Sequence, residues 1–232
     1  MISFPGAGGK TSLIRRLAWE GRERGFKVLV VTTTHMFRPS RYGVFQADKS
    51  QVRRMLEQES IAVAGREAGD QKITFVGNGF YQQICPLAEL VLVEADGSRR
   101  LPLKVPGPGE PVVPCNSDMV LSVYGLSVLG QAAGKLCFRT ELAMEIMDNY
   151  GRKGYMQENG WTVQPEDLAC LMQYGYLYPL RVKYSDIPVI PVFNQADGPD
   201  QVQLAKGLLD RMGESRGMVC GQLRSDLSGG LF

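Results

Sequence analysis

The sequence predicts an α/β fold in which a mainly parallel sheet carries helices on both faces. Short apolar runs such as Lys27 to Thr32 and Leu90 to Glu94 lack polar alternation, which is typical of strands that are covered on both faces. Longer stretches with apolar residues at helical spacing lie between these runs. Because strands that alternate with helices are joined by right-handed crossovers, this order favours one parallel sheet.

The other elements follow the same alternation along the chain. We expect further strands at Ile2 to Phe4, Ile61 to Ala64, Lys72 to Val76, Met119 to Val123, Val189 to Phe193 and Met218 to Cys220. We expect helices at Thr11 to Arg24, Lys49 to Glu59, Glu141 to Asn149, Pro165 to Gln173 and Gln201 to Met212, with Thr140 as the N-cap of the third. The chain is expected to form a single domain over residues 1–232, with a small helical insertion around residues 140–180.

The composition argues against several classes of protein. The chain has 232 residues, of which 44% are hydrophobic and 22% charged, as in ordinary globular proteins. Its formal net charge of +2 lacks the basic excess of a nucleic-acid binder. No apolar run reaches the roughly 18 residues of a membrane span, and the early first strand leaves no room for a signal peptide. Five dispersed cysteines favour reduced thiols in the cytoplasm, and the single His35 excludes a His-rich metal site within one chain.

The strongest functional motif is Gly6-Ala7-Gly8-Gly9-Lys10-Thr11-Ser12, between the first strand and the first helix. Glycines let the backbone turn tightly and present N–H groups to phosphate oxygens, and the positive end of the helix adds to the attraction. Lys10 is expected to reach the terminal phosphates and Thr11 to hold Mg²⁺, which makes this a P-loop. The motif ordinarily begins with glycine where this chain has Phe4, so the later glycines are expected to supply the turn.

A second motif is an apolar strand that ends in acids, Leu90-Val91-Leu92-Val93-Glu94-Ala95-Asp96-Gly97. Carboxylates at the carboxyl end of a central strand lie beside the P-loop, where ligands gather in open α/β sheets. Glu94 and Asp96 are therefore candidates to bind magnesium-bound water or to polarise an attacking water. The alternative is a strand followed by an ordinary Asp-Gly turn.

Two further polar segments follow strands at the same edge. Thr33 and Thr34 are candidates to complete the magnesium shell or to sense the terminal phosphate, and His35 to orient substrate or shuttle a proton. Asn194-Gln195-Ala196-Asp197 resembles the Asn-Lys-x-Asp element with which GTPases bind guanine. There the carboxylate accepts two hydrogen bonds that adenine cannot donate. Gln195 replaces the lysine, and a simple turn that leads into a helix is the alternative.

A proline-rich segment, Arg99 to Pro114, is expected to form a long ordered loop. Its cations Arg99, Arg100 and Lys104 are candidates to neutralise phosphate charge during catalysis or to bind an anionic second substrate. The alternative is that they are solvated surface charges. Glu110 of the same loop is a candidate site residue without an assigned role.

The motifs GAGGKTS, TTTHM, VEADGSRRLPLK, EPVVP and FNQAD occur in this order, and with them the chain resembles the YqeC family over nearly its whole length. These are selenium-dependent molybdenum hydroxylase accessory proteins, also called selenium cofactor biosynthesis proteins. The resemblance implies a cytoplasmic bacterial P-loop protein that helps to prepare the selenium-containing molybdenum cofactor site of a hydroxylase. It implies a nucleotide site formed by Gly6, Gly8, Gly9, Lys10, Thr11, Glu94, Asp96, Asn194 and Asp197. A looser resemblance extends to metallochaperone GTPases, whose Cys-Pro and His-rich elements this chain lacks.

The residues and the resemblance together leave three functions open. The first is a magnesium-dependent hydrolase of GTP or ATP that assists the hydroxylase client. The second is a nucleotide-gated carrier with little turnover of its own, and the third is a kinase or nucleotidyltransferase that acts on a cofactor precursor. The expected partners are the nucleotide, the client and a second copy of the chain, with no nucleic acid and no membrane.

Overall fold

The structure is a computed structural model that describes residues 1–69, 71–157 and 160–221. Within these residues the strands are β1 (Ile2–Phe4), β2 (Val28–Thr32), β3 (His35–Phe37), β4 (Gly43–Val44), β5 (Ile61–Ala64), β6 (Arg66–Glu67), β7 (Lys72–Thr74), β8 (Leu90–Glu94), β9 (Leu103–Lys104), β10 (Met119–Gly125), β11 (Cys137–Phe138), β12 (Met156–Gln157), β13 (Gly160–Trp161), β14 (Val189–Asn194) and β15 (Met218–Val219). The α-helices are α1 (Lys10–Glu23), α2 (Lys49–Glu59), α3 (Asn78–Ile84), α4 (Thr140–Asn149), α5 (Pro165–Cys170), α6 (Tyr178–Lys183) and α7 (Pro199–Arg211). A π-helix, Leu171–Leu177, joins α5 to α6.

Eight strands form the central sheet in the order β15-β14-β10-β1-β8-β2-β5-β4, and all of its described pairings are parallel. Along β2, Val28 and Val30 pack in the core beneath α1, whereas Leu29 and Val31 pack beside α2 and α3. Because successive residues of a strand point to opposite faces, helices cover both faces of this sheet. The predicted fold class is therefore confirmed.

One predicted strand does not join the central sheet. The segment predicted as Lys72 to Val76 forms β7, which pairs antiparallel with β3 and β6 in a separate three-stranded sheet. Within β7 only the central Ile73 is buried. A strand that is covered on one face suits an antiparallel ribbon better than a parallel sheet covered on both faces.

Two predictions about the helices were wrong in detail. Thr140 is the first residue of α4 rather than its N-cap, because Arg139 occupies the cap position at φ 70° and the Thr140 hydroxyl donates to the Cys137 carbonyl. The helix predicted from Pro165 to Gln173 leaves α-helical geometry after Cys170 and continues as the π-helix. Helix α3 was not predicted, since its seven residues are too few to show a clear apolar period.

The helical segment after residue 140 packs on the sheet through one apolar cluster. Leu168 of α5 and Tyr176 of the π-helix share this cluster with Tyr124 of β10 and Phe193 of β14. The cluster brings the π-helix beneath the carboxyl end of the central strands. The division into one domain with a helical insertion stays a prediction.

Candidate functional site

The glycine loop leaves the centre of the sheet between two strands. Ile2 of β1 pairs with Leu92 of β8 on one side and with Met119 of β10 on the other. The loop then follows β10, because the amide of Ala7 donates to the carbonyl of Val123 at 2.8 Å. Since the strands are parallel, the segments that follow β1, β2, β8 and β14 lie along the same edge of the sheet.

The backbone of the loop depends on glycine. Gly8 has φ 78°, and a Cβ atom there would lie 2.3 Å from the backbone nitrogen of Gly125. Gly9, the N-cap of α1, has φ 111° and no side chain to accept from the first amides of the helix. These amides therefore stay available to an anion at the positive end of α1. Phe4, at the motif position where glycine is usual, packs in the core beneath α1 and not in the loop.

Lys10 and Glu94 form a buried pair of opposite charges at this edge. The side chain of Lys10 donates to the carbonyl of Gly6 at 2.5 Å, and the Thr11 hydroxyl donates to the Glu94 carboxylate at 2.9 Å. Burial lowers the pKa of Lys10 and raises the pKa of Glu94, while the attraction between the two charges opposes both shifts. The structure therefore places three predicted site residues within one small polar cluster.

Asp96 is more deeply buried than Glu94, and both of its carboxylate oxygens have partners. It is completely buried, forms an ion pair with Lys104 and accepts a hydrogen bond from the Tyr176 hydroxyl at 2.7 Å. The amide of Gly6 points to the same carboxylate at 3.4 Å. Of the two predicted acids, Glu94 contacts the Thr11 hydroxyl and Asp96 joins the glycine loop to Lys104.

Lys104 extends this network into the proline-rich loop (Arg99–Pro114). It is completely buried, and its ammonium group lies 2.7 Å from the Glu110 carboxylate, which also pairs with Arg139 at 2.7 Å. Burial alone would raise the pKa of Glu110, but hydrogen bonds from Arg139 and Lys104 outweigh it and lower the pKa to about 2. Lys104 is thus a buried structural cation in this structure and not a solvated surface charge.

The threonines after β2 bind neighbouring loops, whereas His35 is exposed. The Thr33 hydroxyl donates to the carbonyl of Val112 at 2.9 Å, and the Thr34 carbonyl accepts from Thr74 at 2.8 Å. His35 lies on the exposed side of β3, opposite Thr74. Thr33 therefore anchors the proline-rich loop beside the end of β8.

Asn194, at the end of β14, contacts the glycine loop directly. Its side-chain amide donates to the carbonyl of Gly8 at 3.1 Å, while its buried Oδ1 atom has no hydrogen-bond partner among the described residues. Asp197 is exposed and lines a cleft of about 350 Å³ together with Ala196, Gly198, Pro199, Val202 and Gly221. Gln195 instead accepts from the amide of Ser127 at 3.4 Å. The predicted base-reading segment thus lies beside the loop and borders a cleft.

Arg99 and Arg100 are exposed, and each lies against an aromatic ring. The guanidinium of Arg99 lies 4.7 Å from the ring centre of Phe138, and that of Arg100 lies 4.1 Å from the ring centre of Phe37. Both side chains therefore project from the loop after β8 toward elements other than the glycine loop.

Sequence reasoning missed two residues of the network, Arg139 and Tyr176. Neither belongs to a recognisable motif, and Tyr176 lies 80 residues from the carboxylate it contacts. The only available signal was the polar hydroxyl of Tyr176 within an apolar segment, which implies a buried hydrogen-bond partner.

Two negative findings apply to the described part of the chain. No group of three or more His, Cys, Asp or Glu side chains is arranged to hold a metal ion. Nor does any described helix combine the length and the apolar character that crossing a membrane requires.

Comparison with known proteins identifies the family. Residues 2–141 match the model of the YqeC protein family. This chain belongs to the YqeC family. The uncharacterized protein YqeC of Escherichia coli (strain K12) is 36% identical to it over 140 residues, which cover 56% of this chain and 53% of that protein. The match thus spans about half the length of the E. coli relative. The family model covers the glycine loop, Glu94 and the proline-rich loop, whereas β14 and the cleft beside Asp197 lie beyond it.

One solved structure agrees with the fold. A chain of the MinC:MinD cell division protein complex of Aquifex aeolicus superposes with a TM-score of 0.50 at 10% identity, over 95% of this YqeC chain and 80% of that chain. The signal recognition particle 54 kDa protein of Aeropyrum pernix K1, solved in complex with GDP, gives a TM-score of 0.39 at 19% identity, over 95% of this chain and 41% of that chain. The first likeness supports the α/β fold of this chain, with its parallel central sheet, and nothing beyond the fold.

Proposed function

We propose that this YqeC protein binds GTP or ATP with magnesium, hydrolyses it, and serves as an accessory factor in maturation of the selenium- and molybdenum-containing cofactor of a molybdenum hydroxylase. One observation supports the nucleotide site above all others. Lys10, the Thr11 hydroxyl and the Glu94 carboxylate meet at the uncapped N-terminus of α1. Family membership supports the accessory role.

The oxygen donors at this point fit magnesium. The Thr11 hydroxyl and the Glu94 carboxylate lie 2.9 Å apart, and Mg²⁺ prefers oxygen ligands together with several retained waters. Asp96 would act through such waters, since Lys104 and Tyr176 already occupy its carboxylate. Magnesium, when bound, supplies positive charge that neutralises the phosphate oxygens.

The residues of the chain would bind the phosphates, neutralise their charge and orient the attacking water. The amides from Gly8 to Ser12 would cradle the phosphates, since those of Gly6 and Ala7 already donate to Asp96 and Val123, and Lys10 would exchange the Gly6 carbonyl for a phosphate oxygen. Glu94 would orient water beside the terminal phosphate, a role suited to a carboxylate whose pKa is raised by burial. Hydrolysis of this kind depends on positioning and charge neutralisation more than on covalent chemistry.

The nucleotide base would lie near the segment that follows β14. Asn194 already binds the glycine loop through its amide, and its Oδ1 atom has no hydrogen-bond partner in the part of the chain that the structure describes. Asp197 borders the adjacent cleft. A carboxylate at the base favours guanine, because adenine presents no matching pair of donors.

Lys10→Ala tests the nucleotide site. Lys10 and Lys49 are each the first residue of a helix, so Lys49→Ala is a matched control. We expect Lys10→Ala to weaken GTP or ATP affinity by at least about 100-fold, because a buried cation would be lost from the phosphates, and Lys49→Ala to change it less than about twofold. Calorimetric titration with each nucleotide and magnesium measures this. Micromolar affinity retained in Lys10→Ala would refute the proposal.

Phosphate release separates hydrolysis from the alternatives. Release should occur with GTP or ATP and slow strongly in Lys10→Ala, with a further increase when the client hydroxylase is added. Turnover seen only with the client would favour the gated carrier. Label that passes from the nucleotide to a cofactor precursor, in place of free phosphate, would favour the transferase.

A further inference from the structure

Arg99 and Arg100 carry the strongest signal outside the nucleotide site. Both begin the proline-rich loop, a few residues after the acidic end of β8, and both are exposed. The ring centre of Phe138, from β11, lies 4.7 Å from the guanidinium carbon of Arg99 and 4.4 Å from that of Arg139. The guanidinium carbon of Arg100 lies 4.1 Å from the ring centre of Phe37, from β3, and the Phe37 side chain is 40% exposed. The rings therefore support the two guanidinium groups, and both arginine side chains remain exposed to a ligand.

The backbone supports a functional origin for this arrangement. Arg99 and Arg100 have φ angles of 51° and 66°, so two successive residues that are not glycine occupy the left-handed region. This region is sterically unfavourable for residues other than glycine, and such strain concentrates at ligand sites and switch regions. A turn closed by the Leu101 amide and the Ser98 carbonyl, 2.9 Å apart, stabilises this strained segment.

The charges around this segment do not balance. The acids Asp96 and Glu110, which flank this segment in the sequence, are paired with Lys104 and Arg139. Within the described ranges, neither Arg99 nor Arg100 has a carboxylate partner. Two positive charges therefore remain for a ligand, which matches the charge of about −1.5 to −2 on a phosphate monoester near neutral pH.

We propose that Arg99 and Arg100, backed by Phe138 and Phe37, bind a second ligand that carries a phosphate monoester on a planar ring system. The guanidinium N–H groups suit the phosphate, and a guanidinium that rests on a ring presents a flat outer face on which a planar group stacks. The site lies in the proline-rich loop, which follows Glu94 along the chain, and this ligand would be the substrate or cargo on which the nucleotide-bound protein acts. That assignment of a role rests on the proposed function, whereas the binding site itself does not.

Flavin mononucleotide is a suitable probe because it is a fluorescent planar phosphate monoester, and riboflavin is the same ring without the phosphate. Fluorescence titrations would use the full chain with and without saturating GDP and magnesium, alongside separate titrations of GDP alone. The test variant is Arg99→Gln with Arg100→Gln. The matched control is Arg53→Gln with Arg54→Gln, since these arginines are also adjacent and exposed but lie on α2.

We expect the probe to bind the wild-type protein at least about 10-fold more tightly than riboflavin or inorganic phosphate does. The Arg99/Arg100 variant should lose at least about 10-fold in probe affinity while its GDP affinity changes less than about twofold, and the Arg53/Arg54 variant should bind as the wild type does. Arg100→Gln alone, which removes one of the two cations, should give an intermediate loss. Circular dichroism melting of each variant checks the fold.

Three outcomes would overturn the inference. The first is that flavin mononucleotide binds the wild type and the Arg99/Arg100 variant with equal affinity. The second is that riboflavin, which lacks the phosphate, binds as tightly as flavin mononucleotide. The third is that GDP displaces flavin mononucleotide. Failure of GDP to bind, with the arginine-dependent binding of the probe intact, would instead refute the proposed function and leave this site standing.

Discussion

At the scale of single residues, the conformation of the glycine loop requires glycine at position 8. Its φ of 78° lies in the left-handed region, and an added Cβ atom would lie 2.3 Å from the nitrogen and 2.6 Å from the Cα atom of Gly125. These neighbours are backbone atoms of β10, which cannot rotate away as a side chain can. Alanine at this position would therefore force the loop away from the sheet.

We expect Gly8→Ala to lower the free energy of unfolding by about 1–3 kcal/mol and to weaken nucleotide binding sharply, because the loop amides would no longer converge. Gly79→Ala is the matched control, since Gly79 lies in α3 and an added Cβ atom would meet nothing within 4 Å. That control should be neutral or slightly stabilising. Urea unfolding and nucleotide titration measure both variants, and wild-type behaviour of Gly8→Ala would contradict the structure of the loop.

At the scale of the elements, ion pairs connect the two halves of the proline-rich loop and join it to the segment ahead of α4. Glu110 bridges Lys104 on β9 and Arg139 ahead of α4, and these contacts lower its pKa to about 2 from an ordinary value of 4.5. The folded state therefore binds a proton at this carboxylate less readily than the unfolded chain does. The stabilisation is complete above about pH 4.5 and is lost as the pH falls toward 2.

Glu110→Gln should accordingly make the free energy of unfolding less dependent on pH in the acid range. Between about pH 5 and about pH 3, the free energy of unfolding should fall more in the wild-type protein than in Glu110→Gln. Glu57→Gln, which changes an exposed glutamate on α2, should follow the wild-type curve. Urea unfolding across this range is the measurement, and parallel curves for wild type and Glu110→Gln would show that the ion pairs do not stabilise the loop.

The elements also show which parts of the fold local sequence can predict. Strands β1, β5 and β8 and helix α2 have the predicted bounds, because each is a compact apolar or periodic run with turn residues at its ends. Strands β3 and β6 of the three-stranded sheet lack such a pattern. The contact between Asp96 and Tyr176 depends on how the π-helix packs against β10, so no local pattern in the sequence predicts it.

The same limit applies to the candidate site. The glycine loop, Thr11 and Glu94 could be grouped from sequence because parallel strands place their carboxyl ends at one edge. The sequence also indicated a cationic role for Lys104 but not its partner, since pairing with Asp96 requires the proline-rich loop to fold back beneath the strand end. Motif spacing therefore predicts well which residues lie at the candidate ligand site. It predicts less well which other residues fix the positions of those site residues.

At the scale of the whole molecule, the candidate nucleotide site exists only when the sheet is complete. The glycine loop follows β1, Glu94 ends β8 and Asn194 ends β14, and 186 residues separate Asn194 from the Gly8 carbonyl that it contacts. An unfolded chain cannot bring these groups together. A nucleotide that binds here would bind the folded state alone and would stabilise it by mass action.

Nucleotide and magnesium at about 100 times the dissociation constant should therefore raise the free energy of unfolding by about 2.7 kcal/mol. Chelation of magnesium should remove most of this increase, because the phosphates would lose the charge that the Thr11 and Glu94 oxygens hold beside them. Chemical denaturation with and without nucleotide measures the effect in wild type, and the same titration in Lys10→Ala should show no increase. An increase that survived both chelation and the loss of Lys10 would place the ligand away from the glycine loop.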